Sequence, residues 1–268
     1  MLLDGKQIAA DIYADLGPRF SLLGRPVTLG IVVVGDNPVI ESFVRIKTRS
    51  AEQLGITMAR TNLPETSSLA DIVGALRASA ASADAVIAQL PLPAGIDTNT
   101  VLSAVPKEKD VDALNPSVPE AERPVHAPVA LAVVEILKRG GVDIAGKKTV
   151  VVGAGRLVGA PSAWLLKSLG AHVSMFTLEE GSIDDLKEAD IVVSGAGNPG
   201  FIKPEHLKPG VALIDAGTSE LNKKVVGDAD PACAAVASVF TPVPGGVGPV
   251  AVAMIFRNLL DLLAAAPR

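Results

Sequence analysis

The 268-residue chain predicts an α/β fold of two domains, the second a doubly wound parallel sheet. Three observations predict it. Short β-branched runs alternate with helix-length segments. A glycine-rich turn, Gly153-Ala154-Gly155, stands between such a run and a helix. Seven prolines fall between residues 91 and 128, a density that suppresses regular structure and parts the chain into two series.

The first series opens with Thr28–Val34, an apolar run ended by Gly35-Asp36-Asn37-Pro38, which reads as a buried strand and a turn. From Val39 to Leu54 the apolar residues Ile40, Phe43, Val44 and Leu54 recur near helical spacing, and Gly55 stands where a C-terminal cap is expected. Ser68 lies three residues before Asp71, a capping-box start for a helix over 67–83, which runs into a strand at 84–88. The proline-rich stretch follows as an irregular seam, then a helix over 128–139 ended by Gly140-Gly141.

The second series begins at Lys148 with TVVVG, continues as a helix to Leu169, and then runs through AHVSMF, a helix near 182–188, DIVVSGAG and VALIDAG. A last helix is expected over roughly 249–264. Alternation of this kind argues for a parallel sheet with right-handed crossovers.

Composition sets the outer limits. Hydrophobic residues at 49% and charged residues at 20% supply a substantial core and rule against disorder. A net charge of -5 argues against nucleic-acid or anionic-membrane partners, which need clustered Lys and Arg. The lone Cys233 has no second thiol for a disulfide or a metal pair, so no metal site is expected. Neither a secretory leader nor a long uncharged apolar run is evident, and the expected location is the cytoplasm.

The turn Gly153-Ala154-Gly155-Arg156-Leu157-Val158-Gly159 is a GxGxxxG pattern. Its glycines let the backbone approach a pyrophosphate seated at a helix N-terminus, the arrangement of a Rossmann-like cofactor domain. The competing reading is a tight turn for helix–sheet packing. Candidate dinucleotide contacts are Gly153, Ala154, Gly155, Arg156, Gly159 and Thr218, with Glu179. Glu179, beyond the second strand of this domain, suits ribose hydroxyls and repels a 2′-phosphate, tilting slightly to NAD; Arg156 suits a 2′-phosphate. A solvated helix start explains Glu179 as readily.

Four segments carry polar groups out of keeping with plain packing. Phe43 and Lys47, four residues apart, share a helix face. Gln89-Leu90-Pro91-Leu92-Pro93 places an amide just beyond a buried strand. Lys109-Asp110-Val111-Asp112 and the rigid run Thr241-Pro242-Val243-Pro244-Gly245-Gly246-Val247-Gly248-Pro249 complete the set.

With QLPLP, KDVD and TPVPGGVGP in this order around the central glycine loop, the chain resembles the methylenetetrahydrofolate dehydrogenase/methenyltetrahydrofolate cyclohydrolase family over nearly its whole length, from Asp4-Gly5-Lys6 onward. The resemblance implies a folate cleft between domains, with Lys47, Gln89 and Asp112 catalytic and Phe43, Pro244, Gly245 and Gly246 against the substrate. It also implies NADP as the dinucleotide, a homodimer, and a C-terminal helix returning to the first domain. The implied bounds are 1–122 with 249–268 for the folate domain and 123–248 for the NAD(P) domain.

The chain departs from the family pattern at several places. Phe43 stands for a common Tyr and lacks its hydroxyl, Ala113 for a Gly, Gly155 for a Ser, and Ala251 for a Thr. His126-Ala127-Pro128 replaces Cys-Thr-Pro, and basic residues common after the cofactor domain's second strand are missing. Three other readings compete with the bifunctional enzyme: a dehydrogenase alone, a non-catalytic folate- or nucleotide-binding relative, and an unrelated dehydrogenase of the same cofactor fold. The last leaves QLPLP and TPVPGGVGP unexplained.

Overall fold

Residues 1–177, 181–221 and 224–265 are described in the computed structural model. They form two compact units: one holds Asp11–Pro128 and the chain from Ile255 onward, the other Met1–Ala10 and Val129–Met254.

After helix α1 (Gly5–Ser21), the first unit follows the expected alternation: β1 (Thr28–Val34), α2 (Pro38–Gln53), β2 (Thr57–Leu63), α3 (Leu69–Ser82) and β3 (Ala85–Ala88). Its three strands are parallel in the order β2-β1-β3, with Thr28 opposite Thr57 and Leu29 opposite Ala85. β1 is central and buried almost throughout, which is why it reads as a continuous apolar run rather than an alternating one. α3 lies close on β1, because Gly30 has no side chain: a methyl there would fall 2.2 Å from the Ser79 hydroxyl. Val32, Val34, Ile72, Leu76, Val86 and Val101 form the core beneath.

Helix ends follow the capping rules. The Asn37 side chain accepts from the N–H groups of Val39 and Ile40 to start α2, and Gly55, at φ 72°, follows its end. Ser68 and Asp71 form the expected reciprocal capping box on α3. The proline-rich seam is less irregular than its composition suggests: helix α4 (Thr98–Ser103) forms there because the Asp97 side chain accepts from the N–H groups of Asn99 and Thr100.

The second unit comprises α5 (Pro128–Arg139), β4 (Lys148–Val152), α6 (Gly159–Ser168), β5 (His172–Phe176), β6 (Ile191–Ser194), β7 (Ala212–Asp215), the hairpin β8 (Ser219–Leu221) and β9 (Lys224–Val226), β10 (Val239–Phe240), and the start of α7 (Val247–Ala265). Its parallel sheet has the order β10-β7-β6-β4-β5. Strand order reverses beside β4, so the loops leaving β4 and β6 flank a topological switch point, the general ligand site of open α/β sheets.

Residues 183–188 form a 3-10 turn rather than an α-helix, and α7 starts two residues earlier than its sequence suggests. By length and composition α7 is apolar enough to cross a membrane, yet more than half of its most apolar stretch is buried in the fold. Leu2 bridges Phe240 in parallel, and Leu3 donates to the Phe240 carbonyl at 3.1 Å, so the first residues extend the sheet beyond β10.

Candidate functional site

Lys47, Gln89 and Asp112 come together near the C-terminal ends of β1 and β3, beside the first sheet's own switch point. Gln89 follows β3 directly, its N–H donating to the Val32 carbonyl of β1 at 3.0 Å. Its amide is buried, and Nε2 donates to the Leu90 carbonyl at 2.6 Å, which fixes the amide orientation and leaves Oε1 to accept. Lys47 Nζ, reaching from α2, donates to that Oε1 at 2.8 Å.

Burial pulls the Lys47 ammonium below the usual lysine range, while the charge of Asp112 acts against the shift. Burial likewise raises the Asp112 carboxyl, with Lys47 opposing. Burial thus favours the neutral form of each group, and the charge of the other opposes it. Phe43 lies one turn before Lys47 and is 43% exposed, an apolar side chain available for stacking.

The segment bearing Asp112 is fixed from three sides, by Asp110 of the same motif and by Arg123 and Asn258, which the sequence did not single out. The buried Asp110 carboxylate accepts from the N–H groups of Leu114 (2.9 Å) and Asn115 (2.8 Å), folding residues 110–115 around itself. Burial pushes Asp110 up to about 6, with the Asp112 charge adding to the rise; the Asn115 and Leu114 N–H groups and Arg123 oppose it. Arg123 donates to the carbonyls of Ala113 and Val118, and Asn258 Nδ2 donates to those of Val111 and His126, both at 2.8 Å. Asp110 also bridges Val86 of β3, three residues before Gln89, so the two arms share a register. Ala113 takes φ 53° within this turn, a left-handed conformation that favours glycine.

In the second unit, the glycine loop leaves β4 at the switch point. Gly153 has φ 94°, and a methyl on Gly159 would lie 1.8 Å from the Gly153 carbonyl oxygen, so both glycines are required for the helix to approach the strand end. No side chain caps α6: Val158, at its N-cap, makes no such bond. The backbone cradle and uncapped helix start fit the pyrophosphate of a dinucleotide. Ala154, Gly155 and Arg156 are exposed on this loop, and Thr218 is exposed just past β7. Glu179 lies outside the described residues.

The 241–249 run forms a tight turn, with Gly245 at φ 103° and Gly246 N–H donating to the Pro242 carbonyl at 2.7 Å. Pro244 is exposed and Gly246 buried. Behind the turn sits Gly5: its N–H donates to the Gly245 carbonyl at 3.0 Å, and a methyl there would fall 1.7 Å from the Gly246 carbonyl oxygen. The Asp4-Gly5-Lys6 segment thus has a physical role as backing for the loop. Among the described residues no cluster of His, Cys, Asp or Glu fit to hold a metal occurs.

Residues 3–112 match the catalytic domain, and residues 127–266 the NAD(P)-binding domain, of tetrahydrofolate dehydrogenase/cyclohydrolase. The chain is 37% identical to a bifunctional FolD protein of Lacticaseibacillus paracasei, covering 97% of this chain and 96% of the relative. The fold is similar to the FolD methylenetetrahydrofolate dehydrogenase/cyclohydrolase of Campylobacter jejuni, with TM-score 0.92, 30% identity and 99% of each chain covered. The corresponding Trypanosoma brucei enzyme, solved with NADP and an inhibitor, gives TM-score 0.91 at 31% identity, covering 98% of this chain and 97% of its own. The chain belongs to the tetrahydrofolate dehydrogenase/cyclohydrolase family.

Proposed function

We propose that the chain oxidises 5,10-methylenetetrahydrofolate to the 5,10-methenyl form with NAD(P)+ and hydrolyses that product to 10-formyltetrahydrofolate. The observation that carries the reading is the Lys47 amine held at 2.8 Å by a Gln89 amide that is itself locked on the Leu90 carbonyl.

Oxidation needs little acid–base help, because the nitrogens flanking the methylene carbon stabilise the cation left when hydride departs. When bound, the oxidised dinucleotide supplies the hydride acceptor. The protein's part is positioning: the glycine loop holds the pyrophosphate, and Phe43 and Asp112 hold the folate. The Asp112 carboxylate suits the adjacent N–H donors of a pterin edge.

Hydrolysis needs proton movement. The neutral Lys47 amine takes a proton from the water that adds to the methenyl carbon, and the resulting ammonium returns it to the ring nitrogen as the carbon–nitrogen bond opens, while the remaining hydroxyl proton leaves to solvent as the formyl carbonyl forms. Gln89 fixes the direction of the amine, and its depressed pKa keeps neutral amine available. Phe43 supplies no hydroxyl, so the hydrolytic step here relies on Lys47 and Gln89.

Family membership supports NADP as the dinucleotide, and the carboxylate of Glu179 supports NAD. Glu179→Gln is expected to raise use of NADP relative to NAD in a ratio of kcat/KM values. The same reading includes a cytoplasmic homodimer, supported by Leu169 and Met175 exposed on the second unit, and sedimentation at varied concentration tests the dimer. The central experiment supplies 5,10-methylenetetrahydrofolate with each dinucleotide and follows reduced cofactor and methenyl product together. Reduced cofactor with 10-formyl product supports both steps; accumulating methenyl limits the chain to oxidation; no turnover overturns the reading.

A further inference from the structure

Two aspartates in the second unit, Asp215 and Asp228, are buried almost completely and lie outside the residues assigned above. Asp228 Oδ2 accepts from the Ser194 hydroxyl at 2.6 Å and the Ala196 N–H at 2.8 Å; its Oδ1 accepts from the Asn198 N–H at 2.8 Å. Those donors belong to the end of β6 and the loop that leaves it, one wall of the switch point.

That loop packs directly on the glycine loop. A methyl on Gly195 would fall 2.4 Å from a Val158 methyl, and one on Gly153 would lie 2.8 Å from the Gly195 carbonyl oxygen. A third segment rests on the same carboxylate: a methyl on Gly217, the residue before Thr218, would lie 2.2 Å from the Asp228 carboxyl carbon. Asp215 holds the arrangement from behind, accepting from the N–H groups of Gly217 (3.0 Å), Asp228 (3.2 Å) and Ala229 (2.8 Å).

We infer that Asp228 is a positioning residue for the dinucleotide, setting the β6 loop against the glycine loop and seating Gly217 and Thr218. This rests on the dehydrogenase reading. The chemistry calls for a carboxylate rather than a polar residue in general. Three donors point at two acceptor oxygens, and an amide would turn an N–H group toward at least one of them.

The test separates the two activities, since methenyl hydrolysis consumes no dinucleotide. In Asp228→Asn the dinucleotide KM is expected to rise roughly tenfold or more, the cost of a lost charge-assisted bond, while hydrolysis of added methenyltetrahydrofolate stays within about twofold. An unchanged dinucleotide KM overturns the inference. If Asp228→Asn loses both activities together with its thermal transition, Ser194→Ala decides, because it removes one donor and leaves the carboxylate. A severalfold rise in dinucleotide KM with hydrolysis intact then supports the inference, and no change overturns it. Should the unsubstituted protein turn over no folate, the dehydrogenase reading falls by itself. Calorimetric titration of both proteins with NADP and with NAD still tests Asp228 in that case: weaker binding by the variant supports the inference, equal binding overturns it.

Discussion

Lys47 sits between two opposed influences, burial that favours the free amine and the Asp112 carboxylate that favours the ammonium. Because hydrolysis uses the free amine, its rate is expected to rise with pH through a midpoint below the usual lysine value. Asp112→Asn removes the charge that holds the ammonium, so the midpoint moves to still lower pH. A pH–rate profile that does not move shows that the pair is not coupled. Lys47→Met is expected to cut hydrolysis by roughly 10²–10⁴-fold while hydride transfer falls far less; equal loss, or retention of both, removes the lysine from the step. Gln89 and Asp112 stand out in short motifs of unusual composition and Lys47 by the helix face it shares with Phe43, while their catalytic roles come from the family resemblance alone. Arg123 and Asn258 were not legible, because what gives them meaning is a partner carbonyl 10 or 147 residues away.

The element that carries Asp112 is a turn wound around a carboxylate and clamped by an arginine and an asparagine. Asn258→Leu leaves the Val111 and His126 carbonyls without that donor and is expected to cost about 1–3 kcal/mol in chemical denaturation. It should raise the folate KM more than the dinucleotide KM, and equal effects on both would detach Asn258 from the folate side. Ala113→Gly relieves a left-handed residue and is expected to stabilise the fold by up to about 1 kcal/mol, its greater unfolded-state freedom offsetting part of the gain. Strands, caps and helices were legible at this scale where one local pattern fixes them, as at Asn37, Ser68 and the glycine loop. α4 escaped notice because proline density masked a single Asp97 cap. The β8–β9 hairpin and the β10 edge are too short for any periodicity to register.

For the whole molecule, the buried acids set a pH dependence opposite to that of ion-paired surface carboxylates. Asp110 and Asp215 are both raised to about 6, chiefly by burial, so between pH 3.8 and 6 these two groups bind more protons in the native state than in the unfolded chain. Their contribution to stability is complete below that window and is lost as pH rises through it. In Asp110→Asn both turn hydrogen bonds remain possible, since Leu114 and Asn115 donate to the same oxygen. The variant is therefore expected to exceed the parent at pH 7 by up to about 3 kcal/mol, with the gap closing toward pH 4. A gap independent of pH would mean that this carboxyl is not the titrating group. The two-domain plan was legible from strand–helix alternation, but the membership of residues 1–10 was not, since those residues carry no pattern pointing to partners beyond residue 236. Their position has a consequence for synthesis. Leu2, Leu3 and Gly5 are translated well before the strand they line and the turn they brace. During translation these residues wait without their partners while the intervening chain is made, so that contact closes only after the intervening chain has been made.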